Sequence, residues 1–246
     1  MKTRSTPVTG PRYWATLSVA SVLGANMGDF VSRVLQLGHT HGLLPLALIF
    51  GTILFAERRL RTTTEAYYWL AIVTMRTAAT NLGDAMKHEL ALPWLVAMGG
   101  LAAALAVVQL AEKKHAPRHP DEVATGIPET NAYYWITMLI AGTLGTVGGD
   151  YVADEIGLGV GMGSIVLCGV LAAALSARSL LGSVGRASYW GTVVIVRCAG
   201  TTLGDYFVGR LGANWGLPAS TAIWAVVLIG VLLAWRTPER RSPIAV

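Results

Sequence analysis

A sixteen-residue phrase running from Trp to Asp occurs four times in this chain, at Trp14 to Asp29, Trp69 to Asp84, Trp135 to Asp150 and Trp190 to Asp205. Tyr precedes each Trp (Tyr13, Tyr68, Tyr134, Tyr189), and Gly precedes each Asp (Gly28, Gly83, Gly149, Gly204). With eight Trp and six Asp in 246 residues, chance gives well under one such pair, so the chain is an internal repeat and is read as one. The first two copies are 55 residues apart and so are the last two, whereas the middle step is 66. Arg stands seven residues after Trp in the second and fourth copies (Arg76, Arg197), where the first and third have Ser21 and Gly142. The pattern predicts a unit of two repeats that has itself been duplicated.

The medium follows from composition. The chain is 53% hydrophobic and 13% charged, and a soluble domain carries about 25% charged residues. Apolar segments lie at roughly 13–36, 42–56, 67–88, 93–111, 132–153, 157–177, 189–209 and 216–235. A helix needs about 20 apolar residues to cross the hydrocarbon core, and backbone groups in lipid must be satisfied within their own segment. The expectation is an all-α, polytopic membrane protein with eight transmembrane helices in four tandem helical-hairpin repeats. Its parts are a cytoplasmic N-terminal tail (1–12), a first half of two hairpins (13–111), a cytoplasmic linker rich in Pro, His and charge (112–131), a second half (132–235) and a cytoplasmic C-terminal tail (236–246). The net charge of +5 does not signal nucleic acid, because the basic residues sit in short loops between apolar runs.

With both termini cytoplasmic, that side holds Lys2, Arg4, Arg12, Arg58, Arg59, Arg61, Lys113, Lys114, Arg118, Arg178, Arg186, Arg236, Arg240 and Arg241, and the other holds Arg33, Lys87 and Arg210. This bias sets a multi-pass topology in the cell (inner) membrane and puts the Tyr-Trp pairs at the cytoplasmic interface, where amphipathic rings are favoured. All four copies then point the same way, about an axis along the membrane normal. Each copy also has a small residue four before its last Gly: Gly24/Gly28, Ala79/Gly83, Gly145/Gly149 and Gly200/Gly204. Such spacing lets helices approach closely, so the odd-numbered helices are expected inside and the even-numbered, almost uncharged ones outside.

Asp29, Asp84, Asp150 and Asp205 lie about 22 Å along the helix from their Trp. A carboxylate at that depth must be paired, protonated or wetted. Four of them near one axis form a candidate ion- or metal-binding cluster, with Asn26, Asn81, Thr80, Thr146, Thr201 and Thr202 as further oxygen ligands for a hard cation such as manganese. The competing reading is local pairing, Asp29 with Arg33 and Asp84 with Lys87. Arg76 and Arg197, buried at mid-helix, need an anion or carbonyl partner, face a cytoplasmic vestibule, or snorkel to the interface. His39, His41 and His88 near the outer loops could recruit a metal, and His115 and His119 fall in the linker. Cys168, Cys198 and the Met residues read as packing. No catalytic constellation occurs, so the chain is not read as an enzyme, and no cofactor is expected. The primary expectation is a cation transporter in the lipid bilayer. A non-transporting scaffold or assembly protein, and an organic-anion carrier centred on Arg76 and Arg197, are the alternatives; the substrate is a small ion or metabolite.

From Tyr13 to Trp235, the four tandem two-span copies with their Tyr-Trp and Gly-Asp marks resemble a family of bacterial membrane proteins described as a fourfold repeat of unknown function, often labelled membrane-anchored proteins. The resemblance implies a bacterial integral membrane protein and supplies no substrate or site residues.

Overall fold

The computed structural model describes residues 6–59, 64–115, 125–181, 185–209 and 212–234. These form eight long helices, with no strand among the described residues: α1 (Pro11–Asp29), α2 (Leu43–Arg59), α3 (Glu65–Asp84), α4 (Trp94–His115), α5 (Ala132–Asp150), α6 (Gly159–Leu181), α7 (Arg186–Val208) and α8 (Leu217–Ala234). The starts of the inner helices carry local signals. Pro11 occupies the first turn of α1, where its missing N–H costs nothing, and Asn131 caps α5 by accepting a 3.0 Å hydrogen bond from Tyr134 N. Among the residues named above, Lys2, Arg4, Arg61, Arg118, His119, Arg210, Arg236, Arg240 and Arg241 lie outside the described residues. So do the whole expected C-terminal tail, 236–246, and residues 116–124 of the expected linker. The rest of that stretch is partly built in: α4 runs on to His115, Glu112 is buried 3.7 Å from Arg186, and Ile127 and Thr130 are buried.

Helices α1, α3, α5 and α7 pack as a closed ring, each against two others, with α7 returning to α1. The remaining four cover the outside in a shifted arrangement: α2 packs on α3, α4 on α5, α6 on α7 and α8 on α1. Their outward faces carry large exposed apolar side chains, such as Leu48, Phe55, Val107, Leu110, Ile165, Val170, Val226 and Ile229. An apolar girdle of this extent is untenable in water and natural against lipid. Four helical stretches, Trp94–His115, Ala132–Glu155, Gly159–Leu180 and Leu217–Ala234, are long and apolar enough to cross a membrane. The chain has the helices of a membrane protein.

The ring closes tightly because small residues meet large ones in a cyclic order. A Cβ placed on Gly24 would collide with the Arg76 stem, one on Gly145 with Arg197 Cβ, and one on Gly200 with Ser21. At the fourth interface the partners exchange roles: Ala79 supplies the methyl group, and Gly142 opposite it has none. One turn further along, Gly28 abuts Thr80, Gly83 abuts Thr146, Gly149 abuts Thr201 and Gly204 abuts Asn26, at 2.6–2.9 Å from an added Cβ. The position ten residues after each Trp therefore faces position seven of the next helix around the ring, and one of the two is always glycine. Position fourteen receives position eleven, or position twelve at the last interface. Without the driving force of water, such close approach is how helices in lipid hold together.

Beyond the aspartates, three inner helices change winding at the same point. Phe30–Val34, Ala85–Glu89 and Tyr151–Glu155 are π-helical, directly after Asp29, Asp84 and Asp150, whereas α7 remains α-helical through Asp205. Single π turns inside α-helices are rare and gather at functional sites. The following turn passes through a left-handed residue twenty-two positions after each Trp: Gln36 at φ 55°, Ala91 at 48° and Gly157 at 80°. Only Gly157 adopts that conformation without steric cost.

Candidate functional site

Each inner helix presents one stripe, every fourth residue from the repeated Tyr to the repeated Asp. The stripes read Tyr13, Leu17, Ser21, Ala25, Asp29; Tyr68, Ile72, Arg76, Thr80, Asp84; Tyr134, Met138, Gly142, Thr146, Asp150; and Tyr189, Val193, Arg197, Thr201, Asp205. Residues four apart lie above one another on a helix face. Four such stripes turned inward build a column in layers: tyrosines, an apolar ring, two arginines, threonines, aspartates.

The tyrosines correct the sequence reading. Instead of sitting at a lipid interface, all four are at most 1% exposed and meet on the axis. Their hydroxyls form a closed cycle: Tyr13 to Tyr68 at 3.0 Å, Tyr68 to Tyr134 at 2.6 Å, Tyr134 to Tyr189 at 3.1 Å and Tyr189 to Tyr13 at 2.5 Å. Each Trp packs edge-on against its own Tyr, at 5.0–5.1 Å between centroids, so the rings are wedged in place. The axis is plugged at this end. The fourfold Tyr in constant register was the available signal. The interface rule explains an aromatic ring at that depth, but it does not distinguish a ring facing lipid from one facing the axis. A stripe of period four shared with Asp would have done so.

Beneath the apolar layer of Leu17, Ile72, Met138 and Val193 lie the two guanidinium groups. They do not snorkel, and among the described residues neither pairs with an aspartate; Arg76 is 1% exposed and Arg197 0%. Arg76 crosses the axis. Its Nη1 donates to Gly142 O at 3.2 Å and Thr146 Oγ1 at 2.6 Å, and its Nη2 donates to Arg197 O at 3.3 Å and Thr201 Oγ1 at 2.6 Å. One side chain on α3 thus ties α5 and α7 together. Arg197 is held against Met138, its Nη2 lying 3.3 Å from Sδ, and it is within electrostatic reach of all four tyrosines.

The aspartates lie at the other end, near enough that Asp205 interacts electrostatically with the other three. Their direct partners differ. Asp29 pairs with Arg33 on the next turn at 3.2 Å. Asp84 does not take Lys87; it lies 3.6 Å from His39 Nδ1, and Lys87 reaches into the next repeat, 3.5 Å from Asp150 and 2.7 Å from Asp154. No ion pair to Asp205 occurs among the described residues. Nor do any three His, Cys, Asp or Glu side chains among them come together as they would around a metal ion. His39 and His88 are stacked, centroids 5.9 Å apart. Of the expected oxygen ligands, Thr146 and Thr201 face the axis but are occupied by Arg76. Asn26 and Asn81 turn away from it: Asn26 donates to Ser220 Oγ on α8 at 2.7 Å, and Asn81 lies against Gly42 at the start of α2.

Fold and column together define a helical membrane-protein class with an axial polar core inside apolar cladding. Two stretches, 133–182 and 188–241, match the family model described as Repeat of Unknown Function (DUF347). Both matched stretches lie in the second half of the chain, which is similar there to that family's repeat. The first stretch takes in α5 and α6 and the second α7 and α8, so the matched unit is one inner helix plus the outer helix that follows it. No curated protein and no solved structure matches the chain.

Proposed function

We propose that this is an integral membrane transporter of a small ion, with its path along the axis enclosed by α1, α3, α5 and α7. In this reading the eight helices all span the cell membrane as four tandem two-span repeats, odd helices inside and even helices outside. Both termini are cytoplasmic, the tyrosine plug lies toward the cytoplasm, and the aspartates face the outer mouth. The observation that carries the reading is the layered column itself. A bundle needing only mechanical strength has no use for two arginines and four aspartates on its axis, where ionisable groups are costly.

The column bears on the sign of the ion. A cation drawn in by the four carboxylates would next meet two guanidinium groups that cannot give up their charge. An anion would be met by guanidinium and threonine donors, and protons taken up by the aspartates would lift the repulsion at the mouth. We therefore favour an anion moving with protons over the divalent cation that the carboxylates alone suggest. The test is flux into liposomes holding the purified protein, with chloride, nitrate, acetate and manganese offered separately and internal pH recorded. Anion uptake coupled to internal acidification, abolished in Asp84→Asn/Asp205→Asn protein of unchanged yield, supports the proposal. Manganese uptake restores the cation reading, and no movement of any ion points to a non-transporting assembly protein.

A further inference from the structure

We propose that Arg197 and Arg76 together bind one small monovalent inorganic anion of halide or nitrate size, between the tyrosine plug and the threonine layer. The inference deepens the transport reading and rests on it for the idea that the axis is an ion path.

Donors with nothing to donate to are the first observation. Nε and Nη1 of Arg197 and Nε of Arg76 are buried and make no hydrogen bond among the described residues. The one hydrogen bond that the Arg197 side chain donates among the described residues, to a thioether, is to a weak acceptor. Charge is the second. Neither arginine has a carboxylate within ion-pair distance among the described residues, and the aspartates of their own helices lie about 12 Å further along. Two like charges in a core of low dielectric, both permanently protonated, call for a compensating negative charge.

The surrounding groups leave that role open. Around the tyrosine cycle each hydroxyl has one proton and one neighbour to give it to, so four hydroxyls making four bonds spend all their donors on one another. Arg76 directs both Nη groups to the threonine side and leaves its Nε there unused. The size limit comes from the glycines. With Gly24 against the Arg76 stem and Gly145 against Arg197 Cβ, the ring cannot hold an organic acid between the arginines without prising two interfaces apart. Arg197 Nε and Nη1 point from opposite edges of the guanidinium plane, so an acceptor takes a single N–H from each arginine rather than a two-pronged grip, which suits a single atom or a compact oxyanion.

Equilibrium binding tests this without any flux. The full-length purified protein, held in sodium gluconate, is titrated with sodium bromide at constant ionic strength while thermal melting and tyrosine and tryptophan fluorescence are followed. The expected result is a saturable rise in melting temperature and a matching fluorescence change, both lost in Arg197→Gln. Arg197→Lys keeps the charge but not the fixed planar array of N–H donors and is expected to bind bromide about tenfold more weakly. If Arg197→Gln does not fold, Arg197→Lys and a bromide anomalous peak within hydrogen-bond distance of an unpartnered Arg197 nitrogen in crystals of the unaltered protein decide the matter. A response that does not saturate, or an identical response in wild type and Arg197→Lys, overturns the site. Binding without flux leaves the site standing and sinks transport; flux that ignores bromide occupancy does the reverse.

Discussion

The two ends of the axis pose the same problem and solve it in opposite ways. At one end four tyrosines satisfy each other in a single cycle, neutral and sealed from solvent. At the other, four aspartates in equal register find separate partners: Arg33 on the next turn, His39 from a loop, and Lys87 from the neighbouring repeat, with Asp205 left to the combined field. The difference lies in the functional group. A hydroxyl both donates and accepts, so identical copies can close a ring on themselves; an ionised carboxylate only accepts, so identical copies repel. Repetition therefore gives symmetry where the repeated group is self-complementary and forces divergence where it is not. It fits this logic that three aspartates are followed by a π turn and the fourth is not.

The largest expected effect tests the layer that holds both ends in place. Gly145→Val sets new atoms against Arg197 Cβ, which has no flexible end to yield, and overpacking of this kind costs about 3 kcal/mol. The melting temperature should fall by about 6–12 °C, and a fall under a few degrees would show that the ring is looser than the contacts imply. Next, Tyr13→Phe opens the hydroxyl cycle. It removes two buried hydrogen bonds at about 1 kcal/mol each, together about 4–8 °C. If the cycle acts as a unit, Tyr13→Phe/Tyr68→Phe should cost less than the two single changes added together. At the opposite end, Lys87→Ala removes a part-exposed lysine bridging Asp150 and Asp154 and should cost about 0.2–1 kcal/mol, shrinking in high salt. Equal salt sensitivity in Tyr13→Phe would erase the contrast between the ends.

The smallest effect is local and acid-dependent. Hydrogen bonds from the Thr40 hydroxyl and backbone N–H hold the exposed Glu89 carboxyl below its ordinary value of 4.5. A depressed value means the contact contributes fully above 4.5 and is lost as pH falls through the lower value of the folded protein. The protection of the Thr40 N–H against exchange, relative to an unstructured amide at the same pH, should therefore fall in acid in the native protein and be already low, and unchanged by acid, in Glu89→Gln.

Much of this architecture could be read from the residues, and the omissions have a common cause. Spacing gives height along a helix: it put Asp at one end, Arg midway and Tyr-Trp at the other, and it marked Gly24, Gly28, Gly83, Gly145, Gly149, Gly200 and Gly204 as packing positions. Direction around the helix is harder, because it depends on which neighbour each face meets. That is why Tyr13 and its counterparts were assigned to an interface, why Asn26 and Asn81 were counted with the carboxylates although they turn toward α8 and α2, and why Lys87 was given to Asp84. Lys87 could not have been assigned from local sequence, since Asp150 comes beside it only once α3 and α5 are packed. Arg76 posed the same difficulty: its partners on α5 and α7 belong to the other half of the chain.

The shifted cladding has a consequence for how the molecule is made. Because α2 covers α3, α4 covers α5, α6 covers α7 and α8 covers α1, each outer helix packs mainly on an inner helix other than that of its own hairpin. A half-length chain ending after α4 would leave α1 uncovered at one edge and α4 with nothing beneath it at the other, the tongue and the groove of one joint. Two such halves can shut only by clasping each other. An ancestor of half this size would thus have been obliged to live as a pair, and the present protein, severed between α4 and α5, should still assemble from its two pieces.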